Sequence, residues 1–105
     1  MIRMPSKSLN AVAAARVAEL FQAMSDPSRV RILFALLQGE VNVGAIADHV
    51  GVSEGAVSHH LRGLRQLRIV TARKDGRTVF YALDDDHVRL LLTMGLEHIE
   101  HAWKP

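Results

Sequence analysis

Residues 41–67, VNVGAIADHVGVSEGAVSHHLRGLRQL, decide the fold of this chain. In the first part of the stretch, Ile46, Ala47 and Val50 have the spacing that places apolar side chains on one face of a helix. Gly51 follows directly, and glycine readily ends a helix because it adopts left-handed backbone angles without strain. The sequence therefore predicts a short helix that ends in a tight turn.

A second helix is predicted after this turn. Ser53 is placed to cap it, because a serine hydroxyl accepts a hydrogen bond from a free backbone N–H of the first turn. Val57, Leu61 and Leu64 then recur at intervals of three and four residues and form a buried seam. Two short helices around a tight turn predict a helix-turn-helix, which we assign to residues 42–67.

The face of the second helix opposite this seam carries small, polar and cationic side chains. Such groups can reach base edges and phosphates in a major groove. The candidates on this face are Ser53, Glu54, Gly55, Ser58, His59, Arg62 and Arg65. Two adjacent histidines on a helix do not both face the groove, so we expect His60, next to buried Leu61, to be structural. We expect His49 to be a surface or packing residue.

A β-hairpin is predicted directly after the helix-turn-helix, at residues 69–83. Two runs rich in strand-forming residues, 69–73 and 78–83, flank the tetrapeptide KDGR. We expect the Asp-Gly pair to supply the positive φ angles of a tight turn. A hairpin with a cationic tip in this position is the wing of a winged helix, and its Lys74 and Arg77 can lie along the DNA backbone or minor groove.

The positive charge of the chain is concentrated around these elements. The formal net charge is only +2, yet six of the thirteen Lys and Arg residues lie within residues 62–77, beside a single acid, Asp75. A solvated face is the plain alternative for any such cluster. Because DNA affinity comes largely from cations placed against phosphates, the cluster and the order of elements together predict binding to double-stranded DNA.

Composition excludes several other kinds of protein. The chain has no cysteine, which removes disulfides, thiolate metal sites and cysteine nucleophiles from its 105 residues. Hydrophobic residues make up 49% but aromatic residues only 5%, which favours a helical core over an aromatic-rich barrel. No apolar run is long enough to span a bilayer, and the N-terminus has no apolar signal region. We therefore expect one cytoplasmic domain, residues 1–105, without membrane contact and with a disordered arm at residues 1–7.

Two further helices are predicted before the helix-turn-helix. The first covers residues 8–24, and one of its faces is expected to be buried. The apolar residues of that face are Leu9, Val12, Ala13, Val17, Leu20, Phe21 and Met24. In the second, Ser25 or Asp26 caps the helix, Pro27 lies in the first turn and Gly39 ends it. Its expected apolar stripe is Val30, Leu33, Phe34 and Leu37. A chain this small buries a limited core by itself, and a partner subunit would add to that core.

Three stretches of the chain resemble a known family. AMSDPSRVRILFALL, VSEGAVSHHLRGLRQLRIV and RKDGRTVFYAL are similar to segments of the ArsR/SmtB family of winged-helix transcriptional repressors, and the resemblance extends from about residue 14 to residue 101. It implies a mostly α-helical winged helix-turn-helix with a β-hairpin wing. It also implies a homodimer, joined through its N- and C-terminal helices, that binds an inverted-repeat operator and leaves it on binding an inducer.

The C-terminal stretch DDDHVRLLLTMGLEHIEH contains five of the eleven acids and three of the six histidines of the chain. On a helix over residues 86–102, His87, His98 and His101 fall on one line along its surface. His87 and His98 are about 16 Å apart along the axis, too far for one ion to bind both. An antiparallel second copy would bring its own His98 and His101 beside the first chain's His87, which creates two symmetric sites.

Asp85 can join such a site only if the helix begins near Asp86 and leaves Asp85 in the non-helical approach. One of the three consecutive aspartates is expected to cap the helix. The spacing of Asp85, His87, His98 and His101 matches, residue by residue, the metal ligands implied by the resemblance to the C-terminal-helix sensors of the ArsR/SmtB family.

Three imidazoles and one carboxylate suit tetrahedral Zn(II), with Co(II) or Ni(II) as the other candidates, and Glu97 or Glu100 could add a ligand. The resemblance also implies a second kind of metal site, a Cys-x-Cys pair in the first helix of the helix-turn-helix. In this chain Asn42 and Gly44 occupy those two positions. That replacement argues against thiolate-based sensing of arsenic, cadmium or lead. The alternative to metal binding is that the two C-terminal histidines are solvated at the end of a helix.

The predicted function is that of a metal-responsive transcriptional repressor. The apo dimer would bind its operator, and metal at the dimer interface would select a geometry that no longer matches the spacing of the grooves. A repressor of the same fold with a non-metal inducer is the alternative. An enzyme is disfavoured, because a four-ligand site across a dimer seam leaves no open position for a substrate.

Overall fold

The computed structural model describes residues 8–103, and the predicted arm at residues 1–7 lies outside them. The elements are, in chain order, α1 (Ala11–Ala23), α2 (Pro27–Ala35), β1 (Val41–Asn42), α3 (Val43–Val50), α4 (Glu54–Gln66), β2 (Val70–Asp75), β3 (Thr78–Leu83) and α5 (Asp86–Ala102). The predicted winged helix-turn-helix is confirmed: α3 and α4 form the helix-turn-helix, and β2 and β3 form the wing.

Local hydrogen bonds fix the ends of these helices. The Asp26 carboxylate accepts a hydrogen bond from the Arg29 N–H at 3.0 Å and caps α2. Gly51 ends α3 in the left-handed region, with φ 73°. The Ser53 hydroxyl accepts from the Ala56 N–H at 3.1 Å and begins α4. Each of these residues has the role that the sequence predicts.

The core lies where α2, α3 and α4 pack together and where β2 joins them. Its fully buried side chains are Ile32, Leu33, Leu36, Ile46, Val57, Leu61, Leu64 and Ile69. In α2 the predicted stripe is partly wrong, because Ile32 and Leu36 are buried while Val30, Phe34 and Leu37 are only half-buried. Val30 and Phe34 instead line an apolar groove against α5, so α2 contacts neighbours on two sides.

The sheet has three antiparallel strands in the order β1-β3-β2. β1, which pairs Val41 with Tyr81, was not predicted, since two residues are too few to show strand periodicity. The predicted turn needs correction as well. Asp75 belongs to β2 and pairs with Thr78, and of the Asp-Gly pair only Gly76 has a positive φ, 63°. Glycine at the first central position of a two-residue hairpin satisfies such a turn by itself.

The predicted burial of one face of α1 does not occur within the described residues 8–103. Val12 is 67% exposed and Phe21 54% exposed, and Ala23 is the buried residue of this helix. The reason is that α1 packs against the rest of the fold only near its C-terminal end, through Leu20, Ala23 and Met24. The apolar face of α1 is therefore a surface that is available to another chain.

The shape of the molecule agrees with these exposed helices. Its Cα radius of gyration is 15.8 Å, against about 13 Å for a compact chain of this length. Its dimensions are 51 × 40 × 20 Å. Among the helices of residues 8–103, none combines the length and the apolar character needed to cross a membrane.

Candidate nucleic-acid interface and metal centre

The outward face of α4 carries the predicted DNA contacts. Because Val57, Leu61 and Leu64 are fully buried, the opposite side of the helix faces solvent. Of the predicted residues, Ser58 is half-buried, and the exposed ones are Ser53, Glu54, Gly55, His59, Arg62 and Arg65. Within residues 8–103 neither Arg62 nor Arg65 makes a salt bridge, so both are free for phosphates or guanine edges. Their role in DNA binding stays a prediction.

The C-terminus of α4 determines how the wing follows it. The Ile69 N–H donates to the Leu64 carbonyl and the Arg68 N–H donates to the Arg65 carbonyl, both at 3.0 Å. This pair of bonds is the Schellman arrangement, in which the residue after the cap is left-handed. Arg68 is that residue, with φ 57°. The arrangement turns the chain from α4 directly into β2 and so fixes the direction of the wing.

At the wing, two predicted cations are free and a third is paired. Lys74 and Arg77 are exposed and, within the described part of the chain, make no salt bridge. Arg73 lies 4.8 Å from the centre of the Phe80 ring, and its Nη2 donates to Glu40 Oε1 at 2.5 Å. That hydrogen bond lowers the pKa of Glu40 and raises the pKa of Arg73. Arg73 therefore stabilises the base of the wing and is not free for phosphate.

A cleft brings the wing and the first turns of α4 to the same side of the molecule. Its volume is about 350 Å³. Glu54 and Ser58 line it from α4, and Arg77 lines it from the hairpin turn. Three of the predicted DNA-contact residues thus share one concave surface, although they are up to 23 positions apart in the sequence.

His60 has the structural role that the sequence predicts. Its Nδ1 accepts a hydrogen bond from Arg29 Nε at 3.2 Å, in a partly buried position. Arg29 also donates from Nη1 to the Ala23 carbonyl at 3.2 Å. His59, in contrast, is exposed on the outward face, and His49 is exposed in the last turn of α3. The adjacent histidines of α4 therefore differ in exposure as expected, and DNA contact by His59 stays a prediction.

Asp85 and His87 lie together at the N-terminus of α5. Asp85 is the cap, with an extended backbone (φ −156°, ψ −179°), and its Oδ1 accepts from the Val88 N–H at 3.2 Å. Its Oδ2 lies 3.3 Å from His87 Nδ1. The Val88 N–H, and after it His87, lowers the pKa of Asp85. The helix begins at Asp86, which is the condition under which Asp85 can join the histidines.

His98 and His101 lie near the other end of α5, and both are exposed. One chain does not bring them to His87, since eleven residues of helix span about 16 Å. Accordingly, no group of three or more His, Asp or Glu side chains able to hold an ion occurs within residues 8–103 of a single chain. The structure joins Asp85 to His87, and the assembly of all four predicted ligands stays a prediction.

The core holds α5 through its N-terminal half. Val88 and Leu92 are buried, and Arg89 donates from Nη1 to the Leu37 carbonyl at the end of α2. Beyond Leu92 the helix loses contact with the core, and Met94 is 63% exposed. The half that carries the two C-terminal histidines is therefore free to be covered by another chain.

Sequence reasoning missed two residues, Arg29 and Glu40. Their partners lie 31 and 33 positions away in the chain, so no local spacing reveals them. The sequence contains one indication of the Arg29 contact, which is the glycine at position 63. Gly63 lies in the interior of α4, where glycine costs about 1 kcal/mol relative to alanine and marks the close approach of another group. A Cβ at Gly63 would lie 2.9 Å from Arg29 Nη2.

Comparison with known proteins places the chain in a family. The model of the family described as bacterial regulatory protein, arsR family, matches residues 26–72. The HTH-type transcriptional regulator NmtR of Mycobacterium tuberculosis is 43% identical over 97 residues, which cover 92% of this chain and 81% of NmtR.

Two solved structures are similar over nearly the whole chain. The AntR antimony-specific transcriptional repressor is 32% identical with a TM-score of 0.85, and the match covers 97% of this chain and 94% of AntR. The homodimeric winged helix-turn-helix DNA-binding domain Mb0332 of Mycobacterium bovis is 31% identical with a TM-score of 0.79, covering 93% and 95%. The fold, the matched residues and the extent of these similarities lead to one conclusion. The chain belongs to the arsR family of bacterial regulatory proteins, which are DNA-binding transcriptional regulators of the winged helix-turn-helix fold and not enzymes.

Proposed function

We propose that this chain is a metal-responsive repressor whose apo homodimer binds an inverted-repeat operator and leaves it when Zn(II) binds at the dimer interface. The observation that carries the proposal is the pair Asp85 and His87, 3.3 Å apart at one end of α5, with His98 and His101 on the exposed far end. AntR, which is similar in structure, is an antimony-specific transcriptional repressor. A regulator of bacterial transcription acts on DNA in the cytoplasm, and that is the location we propose.

The proposed dimer is supported by two unpartnered apolar faces. The regions of α1 and α5, with the residues that flank them, expose large hydrophobic side chains, which in a monomeric protein rarely form extended patches. These side chains are Leu9, Val12, Val17, Phe21, Leu90, Leu91, Met94, Leu96, Ile99 and Trp103. Mb0332, similar over 93% of this chain, is described as homodimeric. Two copies of α5 in antiparallel contact would bring the far histidines of one beside Asp85 and His87 of the other.

The chemistry of the donors favours Zn(II). Three imidazoles and one carboxylate form a closed tetrahedral shell for Zn(II), and Co(II) accepts the same geometry. Ni(II) would need further ligands, for which Glu97 and Glu100, both exposed on α5, are the nearest candidates in sequence. The chain has no cysteine, so it offers no thiolate for a soft ion or metalloid. We therefore do not extend the antimony specificity of AntR to this chain.

Asp85 would have two roles in this site. One carboxylate oxygen caps α5 through the Val88 N–H, and the other faces the His87 ring. The cap holds the carboxylate in place before any ion arrives, and its lowered pKa keeps it ionised at neutral pH. The residues present therefore fit the proposed group, with Asp85 and His87 from one chain and His98 and His101 from the other.

In the proposed mechanism, the two α5 helices, joined through shared ions, hold the subunits so that the recognition helices no longer match successive major grooves about 34 Å apart. We propose that His98 transmits the change by donating its second ring N–H to a backbone carbonyl near Arg68. Zn(II) binding would lower the affinity for the operator, and operator binding would lower the affinity for Zn(II) by the same factor. Changing the ratio of DNA-bound to DNA-free dimer from about 99:1 to about 1:99 requires about 5.5 kcal/mol of differential binding free energy. The two metal sites of a dimer can share this amount.

The experiment that tests this proposal measures DNA binding by anisotropy at fixed salt, with a duplex selected from a random pool by the apo protein. We expect one Zn(II) per chain and loss of DNA binding on its addition, with Co(II) and Ni(II) compared in parallel. His87→Ala and His101→Ala should abolish both effects, whereas His49→Ala, an exposed histidine outside the site, should retain them. Release that persists in both site variants would contradict the proposal.

Two further measurements examine the coupling. His98→Asn or His98→Gln should weaken the effect of Zn(II) on DNA binding more than it weakens Zn(II) affinity, and equal release in wild type and variant would refute this role.

Because Zn(II) binds neutral imidazole, release of DNA by Zn(II) should also fade below about pH 6. A response that stays flat from about pH 5.5 to about pH 8 would argue against histidine ligation.

The alternative, a non-metal inducer, is favoured by one observation. The groove between α2 and α5 has a volume of about 430 Å³ and is lined almost entirely by apolar side chains, with His98 at its edge. A small apolar inducer could bind there and move α5 in the same way. Zn(II) binding with no effect on DNA affinity would favour this alternative.

A further inference from the structure

We infer that Arg29 is a positioning residue for DNA binding, and that it acts on the recognition helix α4 through a neutral His60. Arg29 Nε donates to His60 Nδ1 at 3.2 Å, and Arg29 Nη1 donates to the Ala23 carbonyl at 3.2 Å. One guanidinium thus joins the end of α1, the first turn of α2 and the middle of α4. The inference concerns operator binding itself and does not depend on which inducer the protein recognises.

The position of His60 makes this contact relevant to DNA. His60 lies between His59 and Arg62, both exposed on the face predicted to meet DNA. The buried seam of α4 sets the rotation of the helix about its axis, and the guanidinium adds a second attachment at His60, next to the side chains that face outward. The side chains on either side of His60 are then presented at a defined angle to the groove.

The contact requires one protonation state of His60. A guanidinium nitrogen is always a donor, so Nδ1 must be the unprotonated nitrogen and the proton must be on Nε2. Proton uptake by the ring removes the acceptor and places two cations in contact. The other titratable groups around this contact are His59, whose ring centre is 5.8 Å from that of His60, and Glu19 of α1, which lines a cavity with Arg29. The link therefore requires an unprotonated Nδ1 and is lost when the ring takes up a second proton.

Gly63, one turn after His60, provides the space for this guanidinium. A Cβ at Gly63 would lie 2.9 Å from Arg29 Nη2, closer than such atoms normally approach. Alanine in place of a glycine in a helix interior is normally favourable by about 1 kcal/mol. At Gly63 the added Cβ would push aside Nη2, the flexible end of the Arg29 side chain, so we expect helix stability to rise while DNA affinity falls.

The first experiment measures the DNA affinity of the metal-free protein by anisotropy, at fixed salt and with chelator present. His60→Asn places an acceptor oxygen near the position of Nδ1 and does not titrate, so at about pH 7.5 its Kd should be within about twofold of wild type. His60→Ala and Arg29→Lys should weaken binding by about threefold to tenfold. On acidification the wild type should lose affinity relative to His60→Asn, because only the wild type loses its acceptor on taking up a proton.

A matched control accompanies this series. His49→Asn removes an exposed histidine from the preceding helix and should keep the wild-type pH profile. The inference is overturned if His60→Asn binds as weakly as His60→Ala, or if wild type and His60→Asn respond to pH in parallel.

The second experiment separates positioning from a purely structural role. Gly63→Ala should weaken DNA binding by about threefold or more while its thermal midpoint stays the same or rises. In an Arg29→Ala background, the same change should cause no further loss, because the group it displaces is gone. Full DNA affinity in Gly63→Ala would overturn the inference.

The third measurement needs no DNA and therefore distinguishes failure of the inference from failure of the proposed function. A long-range ¹⁵N–¹H spectrum of the folded protein at about pH 7.5 should show His60 with its proton on Nε2 and an unprotonated Nδ1. Arg29→Lys should change the His60 signals and leave those of His49 in place. A proton on Nδ1 of His60 would overturn the inference.

Discussion

At the scale of single residues, Arg68 holds a backbone conformation that its side chain disfavours. Its φ of 57° costs a residue with a side chain about 1–2 kcal/mol. Glycine is the usual residue at this position of a Schellman arrangement. We therefore expect Arg68→Gly to raise the free energy of unfolding by about 0.5–1 kcal/mol, after the greater freedom of glycine in the unfolded chain is subtracted. Urea denaturation measures this change.

The control for Arg68→Gly lies two positions earlier. Gln66 is the last residue of α4 and has a helical backbone. Glycine there should lower the free energy of unfolding by up to about 1 kcal/mol, because glycine is a poor helix former. Destabilisation by both substitutions would show that the left-handed backbone of Arg68 carries no strain.

Asp85 gives a prediction for the dependence of stability on pH. Its pKa is lowered in the folded chain, mainly by the Val88 N–H and then by His87. The stabilisation by its carboxylate is therefore fully present above the ordinary pKa of 3.8 and is lost as the pH falls through the lower folded value. Asp85→Asn keeps a capping acceptor without the charge. The thermal midpoint of the metal-free wild type should exceed that of Asp85→Asn at about pH 6, and the two should converge near about pH 2.5. A constant difference across this range would contradict the assignment.

Individual residues differ in how well sequence reveals them. Caps such as Ser53 and Asp26 bond to backbone groups three residues away, so the local sequence contains both partners. One of the three consecutive aspartates was expected to cap α5 without a statement of which, and the structure gives the cap to Asp85, the proposed ligand. The Arg29–His60 contact joins residues 31 positions apart, and it exists only because α2 and α4 pack together.

At the scale of secondary-structure elements, the wing carries two exposed cationic side chains and a third that is hydrogen-bonded to an acid. Lys74 and Arg77 are exposed, whereas Arg73 is bonded to Glu40. Lys74→Ala and Arg77→Ala should each weaken binding to all DNA sequences and reduce the salt dependence of binding by about one phosphate contact per subunit. Arg73→Ala, the matched control, should leave that salt dependence unchanged. Equal slopes for the three variants would show that the wing tip does not touch DNA.

Elements with strong periodicity were predicted well, and elements defined by their partners were not. The helices α3 and α4 show an apolar spacing, caps and a glycine break, each of which acts within a few residues. β1 has two residues and exists through its pairing with β3. The apolar stripe of α2 was misjudged because this helix faces the core on one side and α5 on another. A helix that packs on two faces does not show one apolar stripe in its sequence.

At the scale of the whole molecule, the exposed face of α1 yields a test of the proposed dimer. Val17 is 44% exposed and lies on the apolar face, while Ala15 lies on the opposite side of the same helix. Val17→Glu should shift sedimentation toward the monomer and weaken operator binding by about tenfold or more, because a buried charge opposes association. Ala15→Glu should change neither. A dimer that survives Val17→Glu would exclude α1 from the interface.

The four proposed ligands show the limit of sequence reasoning at this scale. Helical geometry correctly indicates that one chain does not unite His87 with His98, and residues 8–103 of a single chain do not form the site. The same geometry indicates an antiparallel second copy, but it does not contain the contacts between copies. The apolar pattern of α1 predicted a buried face, and within residues 8–103 that face is exposed, so its burial by a second subunit stays a prediction.

The hydrogen bond between Arg73 and Glu40 has a consequence for the operator. Together with the pairing of β1 with β3, it fastens the wing to the loop that precedes the helix-turn-helix. The wing and the start of the helix-turn-helix of one subunit are thus joined directly, so we expect them to shift together. One inserted base pair between half-sites adds about 3.4 Å of rise and about 34° of rotation. We therefore expect such an insertion to weaken the wing contacts and the recognition-helix contacts of one half-site together.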